Sequence, residues 1–101
     1  MNNFSVFHSY LSHECGQQSE SPWDTRAAAL IYPNLKEWAA AANFECRSYN
    51  ILNMSIDFKK LMEKKDSGVT KRQTTTVWVY NIQWAKLEAC LRLHGLFNSN
   101  A

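Results

Sequence analysis

Apolar residues recur along this chain at helical spacing in most stretches and at alternating spacing in one. Phe4, Phe7 and Leu11 stand at i, i+3 and i+7 with Tyr10 beside them, behind Asn3 as a cap, and predict a first helix that Gly16 ends in the left-handed conformation. Residues 16–20 are polar without periodicity and read as a connector. Ser21-Pro22-Trp23-Asp24 then predicts a helix start: Ser21 caps, Pro22 takes the position where its missing N–H costs nothing, and Asp24 faces the positive end of the dipole. Trp23, Ala27, Leu30 and Ile31 share one face of that helix, and Pro33 stops it by disfavouring helical geometry at Tyr32. Asn34 through Glu37 forms a new capping box, which predicts an Ala-rich helix over 35–42. Asn43 suits positive φ, and with the apolar Phe44 it predicts a tight turn.

The next segment admits two parses. Capped by Ser48, a helix to about Lys65 is apolar over most of its circumference, with Asn50, Asn53, Asp57, Lys60 and Lys64 as a single polar stripe. A strand over 47–54 with a helix starting at Ser55 satisfies the same apolar run, and the continuous helix is the preferred reading. Asp66-Ser67-Gly68 closes the helix, and residues 69–71 and 74–80 form two β-rich arms of a hairpin around a cationic Arg72-Gln73 tip. Asn81 caps a last helix in which Trp84, Leu87 and Leu91 share a face, Glu88 and Arg92 pair at i,i+4, and Gly95 terminates, with Leu96 and Phe97 packing back. Residues 98–101 are expected to fray.

Composition adds limits. At 101 residues, 46% hydrophobic and 20% charged, with three Gly and two Pro, the chain has the profile of one globular domain. No apolar run approaches a membrane span, and residues 1–10 lack the basic flank and apolar core of a signal peptide, so a cytoplasmic location is expected. Cys15, Cys46 and Cys90 are odd in number and far apart, which predicts reduced thiols and neither a disulfide framework nor a zinc knuckle. Net charge is +2, but residues 1–50 hold three basic groups against five acidic, and residues 51–101 hold eight against four. Lys59, Lys60, Lys64, Lys65, Lys71 and Arg72 crowd into one stretch, which suits a polyanion on one face or a solvated helix end with a turn.

Helix, short turn, helix and basic hairpin over residues 35–82 resemble the winged helix-turn-helix superfamily. Ala39 permits close helix crossing, Asn43 stands at the turn, Phe44 fills the apolar slot, and FKKLMEKKDSG runs into a wing with an aromatic on its returning strand. The resemblance implies an α+β fold with one β-hairpin: an N-terminal helix and connector in residues 1–20, a winged core in 21–82 and a C-terminal helix in 83–97. It implies sequence-specific double-stranded DNA binding by a small transcriptional regulator, with no enzymatic activity and no cofactor. Ser48, Asn50 and Asn53 would lie on the recognition helix, where Asn can pair bidentately with adenine; Arg47, Lys71 and Arg72 would meet phosphates, and Lys60 and Lys64 would steer. Departures are Asn in place of the usual turn Gly, bulky Tyr49 and low overall charge. A homodimer through the apolar terminal helices is expected, and no membrane partner.

A second function class is a protein-interaction or inhibitor module on the same scaffold, since aromatics and Arg also favour protein interfaces. Cys90 and His94 at i,i+4 could share a metal, and His8, His13 and Cys15 are close in sequence, but a core thiol beside a surface imidazole explains each as well. A Cys–His nucleophile would need orienting groups that no motif supplies. Trp78, Tyr80 and Trp84 could stack single-stranded bases, although their positions suit core packing better.

Overall fold

Phe7, Tyr10 and Leu11 all become buried, on a helix α1 (Val6–Gln17) that opens with Ser5, whose Oγ accepts the His8 backbone N–H at 3.1 Å. A computed structural model describes residues 4–17 and 24–101. Asn3 and Ser21-Pro22-Trp23, the expected caps of two helices, lie outside the described residues. Gly16 does not end α1: the helix continues to Gln17, because glycine permits a left-handed turn without demanding one.

The helix expected from Ser21 forms only from Ala28 onward; before it, where described, the chain is a strand β1 (Asp24–Ala27), which pairs antiparallel with a later strand β3 (Trp78–Ile82). Local capping is worth about 1 kcal/mol, and long-range pairing outweighs it here by completing the second side of β3. Thr25 Oγ1 donates to Asn81 Oδ1 across that pair at 2.7 Å, so Asn81 sits in the sheet and is not the cap expected of it. Helix α2 (Ala28–Ala41) then runs through Pro33, correcting the expected break into two helices. Proline removes one hydrogen bond and crowds the carbonyl four residues back, Ala29, and both residues are exposed, so the loss falls on the solvent side. Ile31, Leu35 and Ala39, at four-residue spacing, are buried, and only an unbroken helix delivers all three to the core.

Asn43 takes φ 62°, and the Phe44 N–H bonds the Ala39 carbonyl at 2.9 Å while its ring stacks on Trp38 at 5.2 Å, as the turn chemistry predicts. The chain needs more than that turn to reach the next helix. Lys36 Nζ donates to the carbonyls of Cys46 and Tyr49, and the Tyr32 hydroxyl donates to the same Tyr49 carbonyl at 3.2 Å, fastening the loop to α2. Helix α3 (Ile51–Met62) follows, resolving the ambiguous segment as a helix capped by Asn50 and not Ser48, and ending before Lys64 and Lys65.

Strand β2 (Val69–Gln73) and β3 form the expected hairpin, but the register Val69↔Ile82 to Gln73↔Trp78 carries pairing past Arg72. The tip is Thr74 to Val77, closed by Thr74 N–H to the Val77 carbonyl at 2.8 Å, so Lys71 and Arg72 are strand residues. The sheet order is β1-β3-β2, with β3 central. Helix α4 (Trp84–Leu93) buries Trp84, Leu87 and Leu91, pairs Glu88 with Arg92 at 3.3 Å, and is followed by Gly95 at φ 69°.

The result is an α+β domain of four helices and a three-stranded antiparallel sheet, whose core joins Phe7, Leu11, Leu35, Met54, Phe58, Tyr80, Ile82, Leu87 and Leu91. Residues 98–101 do not trail free throughout: the Asn98 backbone N–H bonds Ser12 Oγ at 2.9 Å and its side-chain amide bonds Ser9 Oγ at 3.0 Å, all three residues buried. No described helix is long and apolar enough to cross a membrane.

Candidate nucleic-acid interface

Two apolar rows compete for the inside of α3. Met54, Phe58 and Leu61 form one and are fully buried; Leu52 and Ile56 begin the other and are 64% and 44% exposed. Lys59, Lys60 and Glu63 continue on the outer side. The polar stripe expected to face out is therefore displaced to a flank, where Asn53 and Asp57 are half-buried and the Asp57 carboxylate accepts the Tyr49 hydroxyl at 2.8 Å. Periodicity could not choose between the rows because most of the helix circumference is apolar. The available signal was that the row through Leu52 and Ile56 continues into Lys59 and Glu63, while the other stays apolar to Leu61.

The hairpin stands against α3 through one aromatic contact. Phe58 stacks on Tyr80 with ring centroids 3.9 Å apart and planes 19° from parallel. Lys71 is the register partner of Tyr80, and its ammonium lies 4.7 Å from the Trp78 ring centroid and 5.6 Å from that of Tyr80. Trp78 itself is 48% exposed, so it is not the core residue its alternation suggested. The hairpin thus meets the inner side of α3, with Lys71 and Trp78 exposed on the hairpin, while Leu52, Ile56, Lys59 and Lys60 are exposed on the outer side of the helix.

The other expected contact residues are distributed differently. Asn50 and Asn53 form a reciprocal capping box: Asn50 Oδ1 accepts the Asn53 backbone N–H at 2.8 Å, and Asn53 Oδ1 accepts that of Asn50 at 2.9 Å. Ser48 is exposed in the turn before them and lines, with Cys46, Tyr49, Asn53, Ile56 and Lys60, a groove of about 460 Å³. Arg47 is exposed, and both its backbone N–H and its guanidinium bond Glu45, whose carboxyl is held below its usual range by those bonds. Lys64 lies beyond the helix and lines a different groove, with Gly68, Thr70, Gln83 and Lys86. Arg72, paired with Val79, alternates to the sheet face opposite Lys71. Of the eight residues expected at a DNA surface, the structure brings Ser48, Asn53 and Lys60 to one groove, which Glu45 and Asp57 also line, and leaves Lys71 apart on the hairpin.

Among the described residues, neither Lys59, Lys60 nor Lys71 is within ion-pair distance of a carboxylate. Arg26 is the contrast, held by Glu14 at 3.5 Å and Asp24 at 2.8 Å. The thiol alternatives gain little. Burial, with help from Glu88 and Glu14, pushes the Cys15 thiol up to about 12, and burial pushes Cys90 up as well, so both stay protonated at neutral pH. No described group of three or more His, Cys, Asp or Glu residues is placed to hold a metal ion.

Compared with known proteins, the chain matches no family model, no curated protein and no solved structure.

Proposed function

We propose that this protein binds double-stranded DNA in the manner of a winged helix-turn-helix, with α3 entering the major groove and the β2–β3 hairpin resting against the backbone. One observation carries the reading: among the described residues the outer face of α3 is left uncovered, the hairpin stacks on the helix's inner side through Phe58 and Tyr80, and the lysines exposed on both, Lys59, Lys60 and Lys71, have no carboxylate within ion-pair distance. Lysine contacts to phosphate give affinity and a steep salt dependence without sequence information. Transcription regulation and a cytoplasmic location, both expected from the sequence, belong to the same proposal.

Fluorescence anisotropy with a duplex across a salt series tests it. If Lys59, Lys60 and Lys71 each displace a counterion, the logarithmic slope is about −3, and replacing Lys60 or Lys71 by Ala reduces its size by about 1. Absence of duplex binding at micromolar protein and low salt removes the proposal.

A protein partner is the second reading, and Leu52, Ile56 and Trp78 favour it, because an apolar centre with a charged rim is the anatomy of a protein interface. Capture of a stoichiometric protein that Leu52→Asp releases, with no duplex binding, would establish it instead. The expected homodimer has less surface than the sequence suggested, since α1 spends Phe7, Tyr10 and Leu11 in the core. Two copies would have to meet through exposed residues such as Leu93, which sedimentation of wild type and Leu93→Glu tests.

A further inference from the structure

The outer edge of β2 is open. The Gln83 backbone N–H bonds the Gly68 carbonyl at 2.7 Å and the Thr74 N–H bonds the Val77 carbonyl at 2.8 Å, one at each end of the β2–β3 pair. Antiparallel bonding alternates between them, so Thr70 and Arg72 exchange ladder bonds with β3 while Val69, Lys71 and Gln73 turn their N–H and C=O groups away from it. Ser67 Oγ takes up both groups of Val69, accepting its N–H at 3.3 Å and donating to its carbonyl at 3.4 Å. Among the described residues nothing bonds the backbone of Lys71 or Gln73, and residues 70–73 are all exposed. Two donors and two acceptors thus stand in a row at the spacing that a further strand satisfies.

Charge selects the occupant. Neither β2 nor β3 contains a carboxylate; Lys71 and Arg72 alternate to opposite faces of the sheet, and among the described residues neither is within ion-pair distance of one. At the start of the strand, the groove beside Thr70 is lined by Lys64 and Lys86 against a single carboxylate, Asp66. A second copy of β2, paired about a two-fold axis centred on Lys71 or Arg72, sets that cation against its own counterpart, which opposes self-association. We infer that the β2 edge accepts an extended acidic segment of another protein as a further strand of the sheet, its backbone bonded to Lys71 and Gln73 and adjacent carboxylates meeting Lys71 on one face and Arg72 on the other. This stands apart from the DNA reading, which uses the cations of the hairpin and not its backbone.

The test is an amide NMR titration of the isotope-labelled full chain with the peptide acetyl-Thr-Val-Glu-Glu-Val-Thr-amide, and with the same peptide N-methylated at both glutamates, which keeps its charges and removes its central donors. The Lys71 and Gln73 N–H signals are expected to shift and gain protection from solvent exchange more than those of Thr70 and Arg72, which already bond β3. N-methylation is expected to weaken binding by at least about fivefold, the value of one hydrogen bond. Gln73→Pro, which removes an outward N–H that no ladder bond uses, should weaken it likewise, while Gln73→Ala, which keeps that N–H, should not. Thermal melting by circular dichroism verifies that both variants are folded, and the N-methyl comparison needs no variant. Equal binding of the two peptides overturns strand addition and leaves charge attraction alone, which displacement by a short duplex would assign to a polyanion surface. No saturable binding of the parent peptide at millimolar concentration also overturns the inference, and leaves DNA binding to be decided by its own salt series.

Discussion

Arg26 and Lys71 flank the same residue. Both are register partners of Tyr80, Arg26 from one edge of the sheet and Lys71 from the other, and both lie on the sheet face that Tyr80 turns toward Phe58. Yet Arg26 is locked: its side chain is 20% exposed, bonded to Asp24, paired with Glu14 and laid over the Trp84 ring at 5.3 Å. Lys71 has aromatic rings beneath it and solvent above. The difference teaches that cationic residue type says little about role; what decides is whether the fold brings carboxylates to meet the charge. The sequence contrast of a basic second half and an acidic first half holds for net charge, but Glu14 and Asp24 spend two of those acidic groups on one arginine.

The aromatic stack that holds Tyr80 between the two cations is the first thing to remove. Phe58→Ala leaves a cavity under Tyr80 and is expected to lower stability by about 3 to 5 kcal/mol, read as a large fall in the denaturation midpoint. Next comes Arg26→Ala, which strands Glu14 and Asp24, both mostly shielded from water, and should cost about 2 kcal/mol. For a domain of this size that is a melting temperature lower by about 10 °C. A loss no larger than that of an ordinary surface substitution would show that the cluster is solvated and that Arg26 resembles Lys71 after all. Lys71→Ala should change stability by less than about 1 kcal/mol, since an exposed cation over a ring is worth little, and if the proposed DNA binding holds its effect appears in the salt slope. If Lys71→Ala destabilised as much as Arg26→Ala, the hairpin cation would be structural and the proposed interface would lose it.

The smallest expected effect is in pH. His8 on α1 is hydrogen-bonded to Ser5 and lies within electrostatic reach of Asp57 and Lys64. Burial, more than the opposing pull of Asp57, lowers its pKa below the ordinary 6.5, and Lys64 lowers it further. The unfolded chain therefore binds the proton more readily, so stability is full above the unfolded value and declines as pH falls through 6.5 toward the folded value. Thermal melts at pH 7.5 and 5.5 should show a larger drop for wild type than for His8→Gln. An equal drop in both proteins would mean that His8 is as well solvated when folded as when unfolded.

Much was determined locally. The left-handed residues Asn43 and Gly95, the hairpin, the buried face of α4 and the Glu88–Arg92 pair each depend on neighbours within a few positions, so local chemistry suffices. Three decisions needed the whole chain. Asp24 to Ala27 became a strand because β3, more than fifty residues later, had an open side. Pro33 stayed inside α2 because Ile31, Leu35 and Ala39 reach the core only on a continuous helix. The rotation of α3, which turned Met54 and Phe58 inward and left Leu52 and Ile56 outside, was settled by Tyr80 and its neighbours, since a helix apolar on most sides carries no record of which side will meet a core. The sequence alone determined the elements whose hydrogen bonds and side-chain contacts close within themselves. Tertiary structure decided which surfaces they show, because burial is a competition among all the apolar groups of the chain at once.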